Sequence, residues 1–261
     1  MPDLLRELLI LCPLVFLAGF VDSVAGGGGI ISIPAYLLAG LPAQLAAGTN
    51  KITSGCGAVF SSVKYIRSGK FRLRPVLFAV LGALAGSAAG AAVAARLPEA
   101  VFKTILLIAL PAVAVFLVLK RDFGAEKQPA AEEKEPLPQG KTDLISLVIG
   151  LALGCYDGLV GPGTGTFMIM AFTAFLAMDL VTAAGCSRIT NLTANAAAAI
   201  IWILNGSVVW RLVLPAALCS IAGNYCGARF AIRGGSKRVR GMMFIVLGLL
   251  FAKMLYDLLN G

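Results

Sequence analysis

Two cations lie where the surrounding sequence is almost pure hydrocarbon: Lys51 inside the apolar stretch 45–66 and Arg188 inside 181–204. A cation within a bilayer costs ~3 kcal/mol or more, so it faces a partner or a wet cavity and is functional by default. Neutral hydrogen-bonding side chains surround both. Thr49, Asn50, Thr53 and Ser54 flank Lys51, and Ser187, Thr190, Asn191, Thr193 and Asn195 flank Arg188. At helical spacing Asn50 shares a face with Ser54, Ser187 with Asn191, and Asn191 with Asn195. Such donors around two cations suit a small oxyanion. A second reading stays open: Lys51 neutralised by Asp157 and Arg188 by Asp22, as structural ion pairs, with the polar side chains bonding only between helices.

Each cation has a glycine-rich break upstream. Asp22 is followed by Gly26-Gly27-Gly28-Gly29, and Asp157 by Gly161-Pro-Gly163-Thr164-Gly165. Glycine costs about 1 kcal/mol in a helix relative to alanine, so each run reads as two helical pieces meeting at a break. In a bilayer, irregular backbone survives only where protein or a wet cavity surrounds it. Bare amides at a helix start favour anions, which adds Gly28, Gly29, Gly163 and Thr164 to the candidate binding residues. A glycine hinge without a ligand is the plainer alternative. Asp22 and Asp157 are either proton carriers or caps on the breaks, capping being the preferred reading, and Asp179 is expected to cap a helix.

Other chemistries fit poorly. The chain has no histidine, which removes histidine zinc sites and histidine proton relays. Its six cysteines lie in apolar segments without CxxC spacing and read as small hydrophobes. Gly158–Thr164 lacks the lysine of a phosphate loop, and Tyr156-Asp157 has no Gly-x-Gly-Asp partner for an aspartyl protease. No catalytic residue, metal or cofactor is therefore expected. The net charge of +9 comes from basic residues in short connections between apolar runs, which fits a membrane surface rather than nucleic acid.

The elements that would hold these residues are membrane helices. Of the 261 residues, 59% are hydrophobic and 13% charged, with mean hydropathy +0.89. Apolar segments run over 4–21, 30–41, 45–66, 75–95 and 101–119. They resume at 144–153, 165–177, 181–204, 212–232 and 239–259. A charged, proline-rich linker at 121–142 separates residues 1–120 from 143–261. The second half repeats the first. Gly19-Phe-Val-Asp22 matches Gly154-Cys-Tyr-Asp157 at an offset of 135, and Lys51 matches Arg188 at 137. That register continues through Gly69 and Gly206, Arg74 and Arg211, Gly86 and Gly223, and Gly90 and Gly227.

Loop charge orients the halves. Lys64, Arg67, Lys70, Arg72 and Arg74 fill one connection of the first half, where the second has only Arg211. One connection later the bias reverses, to Arg229, Arg233, Lys237, Arg238 and Arg240. The positive-inside rule then places Ser68 and Gly235 in the cytoplasm and Pro98 and Asn205 outside, which makes an inverted repeat. Segment 30–41, ~18 Å as helix against a core of ~30 Å, is too short to span. It is expected to form a re-entrant unit with the segment before it, followed by three full spans in each half. The fold class is an all-α polytopic membrane protein of two inverted-topology repeats with glycine-broken helices.

Asp22, Ala25-Gly-Gly-Gly-Gly29, Pro34, Gly40-Leu-Pro42 and Gly48-Thr-Asn-Lys51 together resemble the signature of the TauE/SafE sulfite-exporter family. Tyr156-Asp-Gly158, Gly161-Pro-Gly-Thr-Gly165 and Asn191 resemble its matching repeat. The resemblance covers nearly everything but the linker. It implies a bacterial-type inner-membrane carrier for sulfite, organosulfonates or related anions, with Asn50 and Lys51 the leading site residues and Asn191 and Asp157 behind them. Arg188 rests on the internal repeat instead. The expected function is export of a small anion by alternating access. An importer or passive facilitator of organic anions, and a cysteine-dependent membrane enzyme handling sulfur, stand as alternatives. The expected partners are the anionic solute and the lipid bilayer, without nucleic acid, and a homodimer is left open.

Overall fold

The computed structural model describes residues 2–119 and 138–260, with side chains over 7–109 and 138–242. The expected linker lies outside the described residues except for its end, where Pro138 leads straight into helix. Among the described residues the chain is all-helical: α1 (Pro2–Ala25), α2 (Gly29–Leu38), α3 (Ala43–Arg67), α4 (Leu73–Arg96), α5 (Glu99–Leu119), α6 (Gln139–Leu159), α7 (Thr164–Leu176), α8 (Leu180–Leu204) and α9 (Trp210–Asn260). The segments expected at 212–232 and 239–259 join in α9, interrupted only by the non-helical backbone of Gly235. Three described helices are long and apolar enough to cross a membrane: Glu7–Ala25 within α1, then α4 and α6. Helices α3 and α8 are long enough but dilute their hydrocarbon with the polar residues around Lys51 and Arg188.

The halves are built into one another. Helix α4 packs most extensively on α6, and α1 on α9, so each half's first helix lies against the other half's fourth. Glycine makes both contacts close. Gly82, Gly86 and Gly90 of α4 meet the backbones of Leu147, Leu151 and Cys155 in rising order, so α4 and α6 run parallel. Gly223 and Gly227 of α9 meet Phe16 and Phe20 of α1 in the same sense. Leu151 and Phe16 are repeat equivalents, as are Cys155 and Phe20, so one contact is made twice. Dispersion between backbones rewards this close approach without any apolar driving force from lipid. The ends are pinned alike: Arg74 pairs with Asp143 at 2.7 Å, and its repeat equivalent Arg211 pairs with Glu7 at 2.9 Å.

The polar helices cross at the centre. Along α3, Gly48 meets Ser207, Gly55 meets Asn195 and Tyr65 meets Gly185, so α8 descends as α3 rises. Helices α3 and α8, equivalent in the repeat register, therefore run antiparallel. Helix α2 doubles back along α1, with Gly28 beside Asp22 and Tyr36 clustered with Leu11 and Val15. The Tyr36 and Thr53 hydroxyls then join it to α3 at 2.8 Å. Lys64 lies 3.5 Å over the Tyr225 ring, which puts the basic connection after α3 and the basic part of α9 at one end. Glu99 accepts the Ala43 N–H and Gly48 abuts Ser207, which gathers residues 97–99 and 205–207 at the other.

A Cβ at Gly86 would overlap the Leu151 carbonyl, and one at Gly223 the Phe16 carbonyl, whereas a Cβ at Gly140 meets nothing within 4 Å. Overpacking costs typically 1–3 kcal/mol. Gly86→Val and Gly223→Val should each lower the melting temperature of detergent-purified protein by about 5 °C or more. Gly140→Ala should leave it unchanged or slightly raised. Equal melting of all three would show that these glycines do not limit packing.

Candidate functional site

Both glycine breaks fall where the sequence puts them, between α1 and α2 and between α6 and α7, and they touch. Gly26 (φ 78°) and Gly161 (φ 93°) are repeat equivalents, both in the left-handed region that favours glycine. A Cβ on Gly26 would strike Gly165 and Thr166 of the other break. The Gly26 carbonyl accepts the Thr166 N–H at 3.2 Å, and the Ala25 carbonyl accepts the Thr166 hydroxyl at 2.7 Å. These carbonyls, freed by the end of α1, are thus satisfied by the opposite half.

The charges are exchanged in the same way. Lys51 Nζ lies 2.7 Å from Asp157 Oδ2 and donates to the Asp157 main-chain carbonyl at 2.6 Å. Arg188 lies 2.7 Å from Asp22 Oδ2 and donates to the Asp22 main-chain carbonyl at 3.0 Å. Each cation therefore grips the carboxylate and the carbonyl of the aspartate in the other half. The ion-pair reading left open by the sequence matches this geometry, and the four charges sum to zero. Asp22 also caps its break, its Oδ1 accepting the Gly28 N–H at 3.2 Å.

Lys51, Asp157 and Asp22 border one small polar cavity. Of the sequence-predicted site residues, Asn50, Lys51, Asn191, Asn195, Gly29, Asp22 and Asp157 line it. Ser54, Gly26, Gly161 and Gly165 complete the wall, so every lining residue is polar, charged or glycine. Ser54 donates to Asn50 Oδ1 at 3.1 Å, and Asn195 Nδ2 to Asn191 Oδ1 at 2.9 Å, along the faces that helical spacing predicts. The other candidates stand behind the wall. Thr49 accepts the Val209 N–H, Ser187 donates to the Gly165 carbonyl, and Thr164 donates to the Gly161 carbonyl. Gly163 takes the left-handed turn that starts α7, and Gly28 borders a smaller adjoining cavity. Arg188, 1% exposed, sits behind Asp22 and Asn191.

Two features escape sequence reasoning. Asn224, fully buried on α9, accepts from Ser61 at 3.2 Å and donates to the Ser220 carbonyl at 3.0 Å, knitting α3 to α9 beneath the site. The signal was a single amide inside an apolar segment. Ser220 also borders the adjoining cavity with Ser32 and Ser54. None of the six cysteines lines the main cavity; Cys186 accepts the Arg72 N–H instead. Asp179 caps α8 through the Val181 and Thr182 N–H groups at 3.0 and 3.1 Å. Burial pushes its carboxyl up, but those donors and Lys70 outweigh it and hold the group below its ordinary value.

Removing one partner of a buried pair strands the other charge, at a cost of about 3–5 kcal/mol. Lys51→Met should therefore destabilise the protein strongly, and Lys51→Met with Asp157→Asn should regain most of the loss. Denaturation of the single and double variants measures the coupling; strictly additive effects would mean that the pair does not act as a unit.

Comparison with known proteins places this architecture. A probable membrane transporter protein of Haemophilus influenzae is 33% identical over 250 residues, covering 96% of this chain and 95% of that protein. A probable membrane transporter protein, ORF9, of a Sinorhizobium species is 33% identical over 258 residues, with 98% and 96% covered. The probable membrane transporter protein YfcA of Escherichia coli K12 is 29% identical over 241 residues, with 92% and 87% covered. No solved structure matches. The family model described as sulfite exporter TauE/SafE matches residues 11–254. The chain is thus a membrane transporter and belongs to the TauE/SafE family.

Proposed function

We propose that this transporter carries a small sulfur oxyanion, sulfite or an organosulfonate, through the cavity between its glycine breaks. The observation that carries the reading is the pair of exchanged salt bridges at one cavity lined by polar, charged and glycine residues. Lys51 is the residue that meets the solute, because it lines the cavity and its ammonium sits on a flexible stem. An entering oxyanion takes the place of the Asp157 carboxylate on that ammonium. The amides of Asn50, Asn191 and Asn195 and the hydroxyl of Ser54 supply the remaining hydrogen bonds. Their multiplicity suits a ligand with several oxygens.

The membrane is the bacterial-type inner membrane, crossed several times. The halves act as inverted repeats that rock about the cavity to expose it to either side in turn. Antiparallel α3 and α8 support that topology, because a two-fold axis relating antiparallel helices lies across them. Basic connections gathered at one end support a cytoplasmic face there. The hairpin of α1 with the short α2 is the re-entrant unit. Export, down the solute's own concentration gradient, is the direction proposed, in keeping with the family's description.

A bound ligand raises apparent stability by mass action, by about 2.7 kcal/mol at a hundredfold excess over Kd. Sulfite or an organosulfonate should raise the melting temperature of the purified protein, and radiolabelled sulfite should show counterflow in proteoliposomes. Lys51→Met should abolish both effects. Arg74→Met, at the exposed head of α4, should keep them. Indifference to sulfite, thiosulfate, sulfonates and small carboxylates alike, or equal loss in the two variants, would sink the assignment.

A further inference from the structure

We infer that the carrier moves its solute as a monoanion together with one proton, and that Asp157 holds the proton while the anion occupies Lys51. The inference rests on the anion-transport reading above and concerns the coupling of that same site. It follows from the charge inventory. Lys51, Arg188, Asp22 and Asp157 sum to zero as two contact pairs. A monoanion bound beside Lys51 with Asp157 still ionised would leave the buried site at −1, with a displaced carboxylate and no partner. An uncompensated buried charge is costly, and the group neutralises instead. Taking a proton on Asp157 as the anion arrives restores the sum to zero. Both the empty and the loaded forms are then neutral and can change their exposure without moving net charge.

The two pairs are not equivalent, and this selects Asp157 over Asp22. Asp22 is tied three ways: to a guanidinium that cannot deprotonate, to the Gly28 N–H, and through its main-chain carbonyl to both Arg188 and the Gly26 N–H. Releasing it would strand Arg188 and uncap the first break. Asp157 has a single strong side-chain tie, to Lys51, and its second contact, from Asn191 Nδ2, lies at the 3.5 Å limit of a hydrogen bond. Both members of that pair line the cavity. When Asp157 is protonated, its main-chain carbonyl still holds the ammonium in place.

The charged groups facing Asp157 are Lys51 from α3 and Asp22 from α1 across the cavity, with Arg188 from α8 set behind Asp22 and Asn191. Helix α7 carries no charged residue, and the two on α4, Arg74 and Arg96, lie at its ends. On α6 itself the neighbouring Tyr156 hydroxyl donates to the Pro162 carbonyl, and Cys155 is exposed. Asp157 and Asp22 are the two carboxylates on the cavity, and Asp22 is held by Arg188 and the Gly28 N–H.

The test uses the full chain in proteoliposomes with isethionate, a sulfonate that stays ionised throughout the working pH range, so any proton carried must ride on the protein. With potential clamped by valinomycin and potassium, one unit of pH gradient should sustain about a tenfold isethionate accumulation. A luminal pH dye should report about one proton per anion, and the flux should ignore the clamped potential. In Asp157→Asn the proton-to-anion ratio should fall to about zero and the flux should become sensitive to potential. Anion flux in the wild type that follows potential without proton movement overturns the inference, as does an unchanged ratio in the variant. If the variant fails to assemble, the wild-type ratio and its indifference to potential still decide. Absence of counterflow with both sulfite and isethionate overturns the transport reading and this inference with it. Counterflow without proton movement overturns the coupling alone.

Discussion

The organisation of this transporter hangs on one constraint: a charge buried in its centre is balanced by the opposite half of the chain. Lys51 of the first half holds Asp157 of the second, and Arg188 of the second holds Asp22 of the first, each cation binding the aspartate's carboxylate and its main-chain carbonyl. Neither half could bury its own cation and aspartate so placed without the other, because an unpaired ion in a low-dielectric interior is prohibitively expensive. The exchange therefore selects the assembled pair of halves over either alone. It also sets the two glycine breaks face to face.

The packing answers to the same arrangement. Apolar helices need no encouragement to stay in lipid, so what brings α4 to α6 and α1 to α9 is close backbone contact along glycine stripes. The polar helices α3 and α8 are kept inside, crossing antiparallel at the cavity with most of their hydrogen-bonding side chains turned to one another or to backbone. Helices that would make poor membrane spans alone become the lining of the site. The hydrocarbon boundary is left to the more apolar helices around them.

The site is neutral but not inert. Its cations look, in the sequence, like an electropositive trap; in the structure each already holds a counter-ion. In the proposed function, anion binding is an exchange of one carboxylate for another negative group. Exchange sites of this kind discriminate by geometry and hydrogen bonding more than by raw field, which gives Asn50, Asn191, Asn195 and Ser54 their weight beside Lys51.

Much of this was legible in the residues alone. Apolar periodicity and length determined the helices, since a segment that cannot satisfy its backbone except internally must be helical in lipid. The Gly26–Gly29 and Gly161–Gly165 runs determined the breaks, because glycine both weakens the helix and permits the positive φ that ends it. The repeat register foretold which residues would be equivalent, and Asn50 with Ser54 and Asn191 with Asn195 fell on the faces expected from helical spacing. Only the tertiary structure decided who partners whom. That Lys51 reaches Asp157, that Thr49 and Ser187 hold backbone rather than enter the cavity, and that Asn224 braces α3, all turn on ångström-scale approach between separate segments, most of them over a hundred residues apart. Local sequence sets the conformation of each segment, but the balance of buried charge belongs to the whole assembly, and no stretch of the chain encodes it alone.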